Sequence, residues 1–168
     1  MTDVGHFLEQ AESGDQSLLW ALVLEAYNNW DDPKDLLKAV LVIDSFELSD
    51  DPNLLLHMAF VLLKGGYVPS ANEVLLGLIE DGYPPAMCTL ARMHLSEEII
   101  DNDEEFAYEL LACAIGLGSL RARDVRASFR WARSSGIRKV MLYFPAWYWS
   151  FRYKWAVDVM GRHDDTIR

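Results

Sequence analysis

Four histidines, two cysteines and one acidic run are the side chains from which this chain would have to build a catalytic or metal centre. His6, His57, His94 and His163 are scattered, with no H-E-x-x-H pair to set two imidazoles on one helical turn. His57 and His94 fall on the first helices of successive helical segments and can approach one another, but a pair of imidazoles is an ordinary packing or surface feature. Cys88 and Cys113 have no metal-ligand spacing and are read as two reduced, buried small hydrophobes. The run Asp101, Asp103, Glu104, Glu105 lacks the glycine that a calcium loop needs at its sixth position, so it is read as the start of a helix. Gly65-Gly66 and Gly116-x-Gly118 end helices instead of cradling phosphate, and no G-x-S-x-G occurs. The sequence therefore offers no catalytic, cofactor or metal residues, and the expectation is a protein that is not an enzyme.

The elements that position these residues are helical. Leu19, Leu22, Val23, Ala26 and Trp30 fall at helical spacing, as do Leu37, Val40 and Leu41 after the capping pair Asp32-Pro33. Further stripes are Leu55, Met58, Ala59, Leu62; then Val74, Leu75, Leu78, Ile79; then Ala86, Leu90, Met93. The clearest stripe is Phe106, Ala107, Leu110, Leu111, Ala114, Leu117, behind acids that oppose its dipole. No segment alternates with a period of two, so no strand is expected.

Breaks recur. Gly14, Gly82 and Gly118 lie 68 and 36 residues apart, and a middle break falls near Ser49, giving a unit of roughly 34 residues. Gly82-Tyr83-Pro84-Pro85-Ala86 and Gly118-Ser119-Leu120-Arg121-Ala122 both read G-x-x-x-A. In each, glycine supplies the left-handed residue that stops one helix, and alanine supplies a small side chain where two helices approach.

The stretch Ala86-x3-Leu90-Ala91-x-Met93-His94-x6-Asp101-x5-Ala107-x3-Leu111-x2-Ala114-x3-Gly118-x3-Ala122 resembles a Sel-1-like repeat, a subclass of tetratricopeptide-like (TPR-like) α-solenoids. Residues 53–86 look like a weaker copy, with Ala59, Gly65-Gly66, Leu75, Gly82 and Ala86 in matching places, and residues 14–49 like a weaker one still. The loop Leu95-Ser96-Glu97-Glu98-Ile99-Ile100 departs from the family's glycine-rich loop. The resemblance implies an all-α fold: a right-handed α-solenoid of about four antiparallel helix pairs in a single domain, 1–168, with repeats 14–49, 50–82 and 83–118 and a basic, aromatic-rich pair 119–168. It marks Gly82, Ala86, Ala91, Gly118 and Ala122 as structural repeat positions. It also implies protein binding: such families serve as scaffolds, adaptors and, in some bacterial systems, immunity proteins that neutralise toxins.

Residues 143–155 hold 8 of the 20 aromatics. Pro145 is placed to begin a helix running to Met160, with Gly161 as its stop. Trp147, Phe151, Trp155 and Val159 form one stripe of that helix, and Trp149, Tyr153, Ala156 and Met160 another. A helix apolar almost all round is normally buried, here as a cap packed onto Phe129 and Trp131. Its aromatics are also the side chains that anchor protein interfaces. The candidate partner-contacting residues are Trp147, Tyr148, Trp149 and Arg152 here, with Glu97, Glu98 and Asp101 in the acidic loop.

Hydrophobic residues make up 51% of 168, which fits a folded domain and not a disordered chain. The net charge of −11 is unevenly placed: residues 1–118 carry 22 acidic and 4 basic side chains, and residues 119–168 carry 4 acidic and 11 basic. The acidic part repels nucleic acid and attracts basic proteins. The start of the chain does not read as a signal peptide, and the apolar run 140–149 is shorter than the ~20 residues that a membrane-spanning helix needs. A cytoplasmic protein is expected. Its partner is another protein, a basic toxin or effector in the sharpest version. The alternatives are an adaptor or scaffold, with a homodimer among its forms, and a nucleic-acid or membrane-surface binder acting through residues 121–154.

Overall fold

A computed structural model describes residues 16–29, 51–96 and 103–160, and the structural statements below concern these. Their elements are all α-helices: α1 Gln16–Asn29, α2 Pro52–Lys64, α3 Val68–Glu80, α4 Pro84–Ser96, α5 Glu104–Gly116, α6 Leu120–Ala132 and α7 Gly136–Met160. The expected stripe at Leu37, Val40 and Leu41, like Gly14, lies outside the described residues. The helices group into two compact units, residues 1–78 and 79–168, divided within the last turn of α3.

In the first unit α1 packs on α2. Leu22, Val23 and Ala26 of α1 are fully buried, as are Leu54, Ala59 and Val61 of α2. Asp51 caps α2 by accepting the amide of Asn53 at 2.9 Å, and Pro52 occupies the first helical position, where no amide partner is lost. The helix ends at Gly66, φ +81°, where the amides of Gly66 and Tyr67 donate back to the carbonyls of Leu63 and Leu62. Lys64 Nζ donates to the Tyr27 carbonyl at 3.1 Å, and the rings of Tyr27, His57 and Phe60 meet edge to face or tilted.

In the second unit α4 packs on α5 and α6, α5 on α6, and α6 on α7. The small side chains of Ala86, Ala91, Ala107, Ala114 and Ala122 are fully buried, so the backbones lie close. Leu90, Leu111 and Leu120 fill the space between them. Asp103 caps α5 by accepting the Phe106 amide at 3.0 Å, and Gly118, φ +91°, ends it with the same back-bonded turn that closes α2.

Two corrections concern side chains of α5. Cys113 is exposed, whereas Cys88 is buried as expected. Position 113 lies off the Leu110–Leu111–Ala114 stripe that faces α4 and α6. Leu117, read as the last member of that stripe, is 50% exposed because it is already the capping residue outside the helix.

Ser119 ties the break to the core. It is fully buried, its Oγ accepts the amide of Ala122 at 3.1 Å, and the same oxygen lies 3.7 Å from Cys88 Sγ. Ser119→Ala is expected to cost about 1 kcal/mol through loss of this helix cap, read as a lower urea midpoint at unchanged slope. Gly82 has φ +74° and its missing Cβ would meet nothing within 4 Å, so any side chain there is opposed by backbone strain alone. Gly82→Val is expected to cost about 2 kcal/mol, and an unchanged melting temperature would show that the turn relaxes freely.

The largest departure from expectation is in α7. Pro145 does not begin this helix; it lies inside it, and the helix starts nine residues earlier at Gly136, φ +57°. A proline inside a helix removes one amide donor and crowds the carbonyl four residues back, here that of Met141. Nor is α7 buried all round: among its described side chains only Ala146 and Ala156 fall in the core.

Candidate protein-docking face

α7 has two unlike sides because two small residues choose which one packs. Ala146 and Ala156 let α6 approach, and Leu142, Trp149 and Tyr153 share their sector of the helix at 100° per residue. Trp149 receives the Arg123 guanidinium 4.8 Å above its ring, and the Ser150 hydroxyl donates to the Asp124 carboxylate of α6.

The opposite sector holds Ile137, Val140, Met141 and Phe144 in the first half of α7. Trp147, Tyr148, Phe151 and Trp155 continue it in the second half. All eight are between 44% and 76% exposed. Their positions cover about 120° of the helix surface and about 27 Å of its length. Trp147 and Phe151 stack at 5.8 Å and 17°, and Trp131, Tyr143 and Phe144 continue ring to ring at 6.2 and 5.9 Å. Aromatic side chains bury about 150–250 Å² each when covered, so with half of that exposed at eight positions the stripe presents at most about 1,000 Å², and at least about 600 Å². That begins where the ~300–600 Å² of the largest apolar patch on a typical monomer ends and brackets the ~800 Å² that each partner gives to a standard interface.

The candidate partner residues separate accordingly. Trp147 and Tyr148 are on the outward stripe. Arg152 is half-buried, 6.0 Å from the Tyr148 ring at the edge of the stripe. Trp149 is half-buried on the α6 side. Glu97, Glu98 and Asp101 lie outside the described residues. Among the repeat positions, Gly82 and Gly118 have positive φ, and Ala86, Ala91 and Ala122 are fully buried.

A second feature was missed in the sequence. α6 carries Arg123, Arg126 and Arg130 and is capped by Arg133, at steps of three and four that place them along one side, and Arg138 joins them from the first turn of α7. They line two adjoining hollows of about 370 and 420 Å³. Arg126, Arg130 and Leu142 belong to both. Arg133 is paired with Glu104 of α5 and donates to the Leu95 carbonyl at 3.3 Å. The signal was available as a helical period of arginines, but these residues entered the sequence reading only as net charge and as part of the basic segment 121–154.

His57 stands among the rings of Tyr27 and Phe60 in the first unit, and His94 stands against Phe106 at 5.2 Å in the second. Among the described residues no three His, Cys, Asp or Glu side chains are grouped to hold a metal ion, and no helix is long and apolar enough to cross a membrane. Comparison with family models, with curated proteins and with solved structures finds no match.

Proposed function

We propose that this chain is a non-catalytic protein-interaction module whose docking face is the outward side of α7. The observation that carries the reading is the contiguous apolar stripe from Ile137 to Trp155, large enough for one side of a standard interface and rich in the aromatic anchors that dominate interface energetics. The fold that displays it is, in this reading, a right-handed Sel-1-like α-solenoid of about four helix pairs, supported by the two G-x-x-x-A breaks and the buried alanines beside them. In its sharpest form the protein is a cytoplasmic bacterial immunity protein. The net −18 of residues 1–118 would steer a basic toxin toward it, and the stripe would hold it.

A second reading, a self-assembling scaffold, is favoured by the layout of the stripe. Its first half is mainly aliphatic and its second half aromatic. Two copies of α7 set antiparallel would place Ile137 over Trp155 and Met141 over Phe151, large against small, with opposed helix dipoles.

The test is light scattering after size exclusion, on the chain alone over a range of concentrations and again with proteins it captures from its native organism. A stoichiometric complex with a different protein supports the first reading, and a dimer of this chain supports the second. A chain that stays monomeric and forms no stoichiometric complex would overturn both.

A further inference from the structure

We propose that the arginine-lined groove between α6 and α7 binds an acidic peptide segment of a partner protein, with carboxylates paired to Arg126 and Arg130 and apolar side chains resting on Leu142. The proposal rests on the protein-binding reading and concerns one segment of the partner, a local acidic stretch, whatever the partner's overall charge.

Arg126 and Arg130 line both hollows, and neither makes an ion pair or hydrogen bond among the described residues. Their neighbours are engaged: Arg133 with Glu104, and Arg123 with the ring of Trp149. Glu104 is the one carboxylate in the lining of the two hollows, and Arg133 already holds it. Like charges three and four residues apart on a helix repel. Arg126 is also half-buried, so its charge is less well hydrated than on an open surface. An anion placed between the pair relieves both costs, and a guanidinium fork matches a carboxylate in two parallel hydrogen bonds.

The shape selects among anions. From Arg123 to Arg133 the row runs about 15 Å along α6, with steps of about 4.5–6 Å. Carboxylates three or four apart on a helix repeat at the same steps, and those on alternate residues of an extended segment lie about 6.8 Å apart. The remaining wall of the first hollow is mainly apolar, from Ile115, Ala127, Leu142, Pro145 and Trp149, and the second adds Tyr108 and Ser134. A bare phosphate would leave that wall uncovered, whereas a peptide of mixed acidic and apolar residues covers both. A nucleic-acid strand fits less well. Its bases need open aromatic faces, and Trp149 carries Arg123 on its ring.

The experiment is fluorescence anisotropy with a labelled synthetic peptide of glutamate and leucine, titrated with the full chain at low salt. Single-stranded oligothymidylate and inorganic pyrophosphate serve as competitors. The peptide is expected to bind and to weaken as salt rises. Each of Arg126→Gln and Arg130→Gln is expected to weaken it about tenfold, with part of the loss restored by Arg126→Lys. Arg92→Gln, an exposed arginine on α4 away from the groove, removes the same charge and is expected to change binding little. Circular dichroism equal to the parent confirms that each variant is folded. Four results would overturn the proposal: no peptide binding, equal loss in Arg92→Gln, displacement of the peptide by oligothymidylate or pyrophosphate at comparable concentrations, or self-association that Arg126→Gln abolishes. If instead Phe144→Asp removes peptide binding and Arg126→Gln does not, the peptide sits on the outward stripe; the groove proposal then fails while the docking-face reading survives.

Discussion

Leu111→Ala is expected to lower the free energy of unfolding by about 4 kcal/mol, toward the upper end of the ~2–5 kcal/mol range for such truncations. Leu111 is fully buried on α5, the helix that packs against both α4 and α6. The buried residues of these helices include Ala91, Ala107, Ala114 and Ala122, whose small side chains already bring the backbones close, with Leu90 and Leu120 filling the space between them. Alanines cannot swing into a vacated volume as a long side chain can, so the cavity persists and the packing contacts are lost outright. Leu117→Ala is the matched control. It removes the same atoms from the residue that caps the C-terminal end of α5, but Leu117 is 50% exposed, and its loss is expected to cost less than about 1 kcal/mol. Urea titration of both variants measures the difference. Equal midpoints would mean that α5 does not present this face to the core.

Much of the fold was legible from the residues at the helix ends. The acidic run around Asp103 announced a helix start because a short polar side chain satisfies amides that the helix itself leaves open, a requirement independent of tertiary context; Asp51 and Ser119 cap helices in the same way but were not read as caps. Gly82 and Gly118 announce helix ends because their φ is one that other residues adopt at a cost. The stripe of α5 was readable because polar residues on its opposite side define the buried one; α4 instead is buried on nearly all sides, from Pro85 to Ala91, and in α2 Leu54 and Leu56 are buried while Leu55 of the expected stripe is half-buried. In α7 that contrast is missing. Apolar side chains surround it, so the period selects no face, and the small residues Ala146 and Ala156 decide the packing through a close approach to α6 that no local pattern encodes. Pro145 misled for a related reason. Its preference for a first helical turn is a local tendency, and here the helix continues across it from Gly136. The arginine groove required four charges to be read as helical positions and joined to a fifth on the next helix. Only the fold makes that juxtaposition.

Phe144→Asp combined with Phe151→Asp is expected to weaken association through α7 by at least a hundredfold while leaving the helix content and melting temperature of the chain close to the parent. Both phenylalanines lie on the outward stripe, 69% and 54% exposed, so the folded chain alone has little to lose from their replacement. In a complex the position is reversed. Each carboxylate would have to be buried without a partner, at a cost of several kcal/mol, and two aromatic anchors would be gone. The two tryptophans next to them separate the two sides of the helix. Trp147→Ala, on the stripe and stacked on Phe151, should weaken association with little change in stability. Trp149→Ala, half-buried beneath Arg123, should lower stability by about 2 kcal/mol, because it loses packing against α6 together with a cation–π contact. Light scattering reads the first effect and urea titration the second. If Trp147→Ala destabilised the chain as much as Trp149→Ala, the outward stripe would be part of this protein's own core; if the double aspartate variant associated as the parent does, the docking face would lie elsewhere.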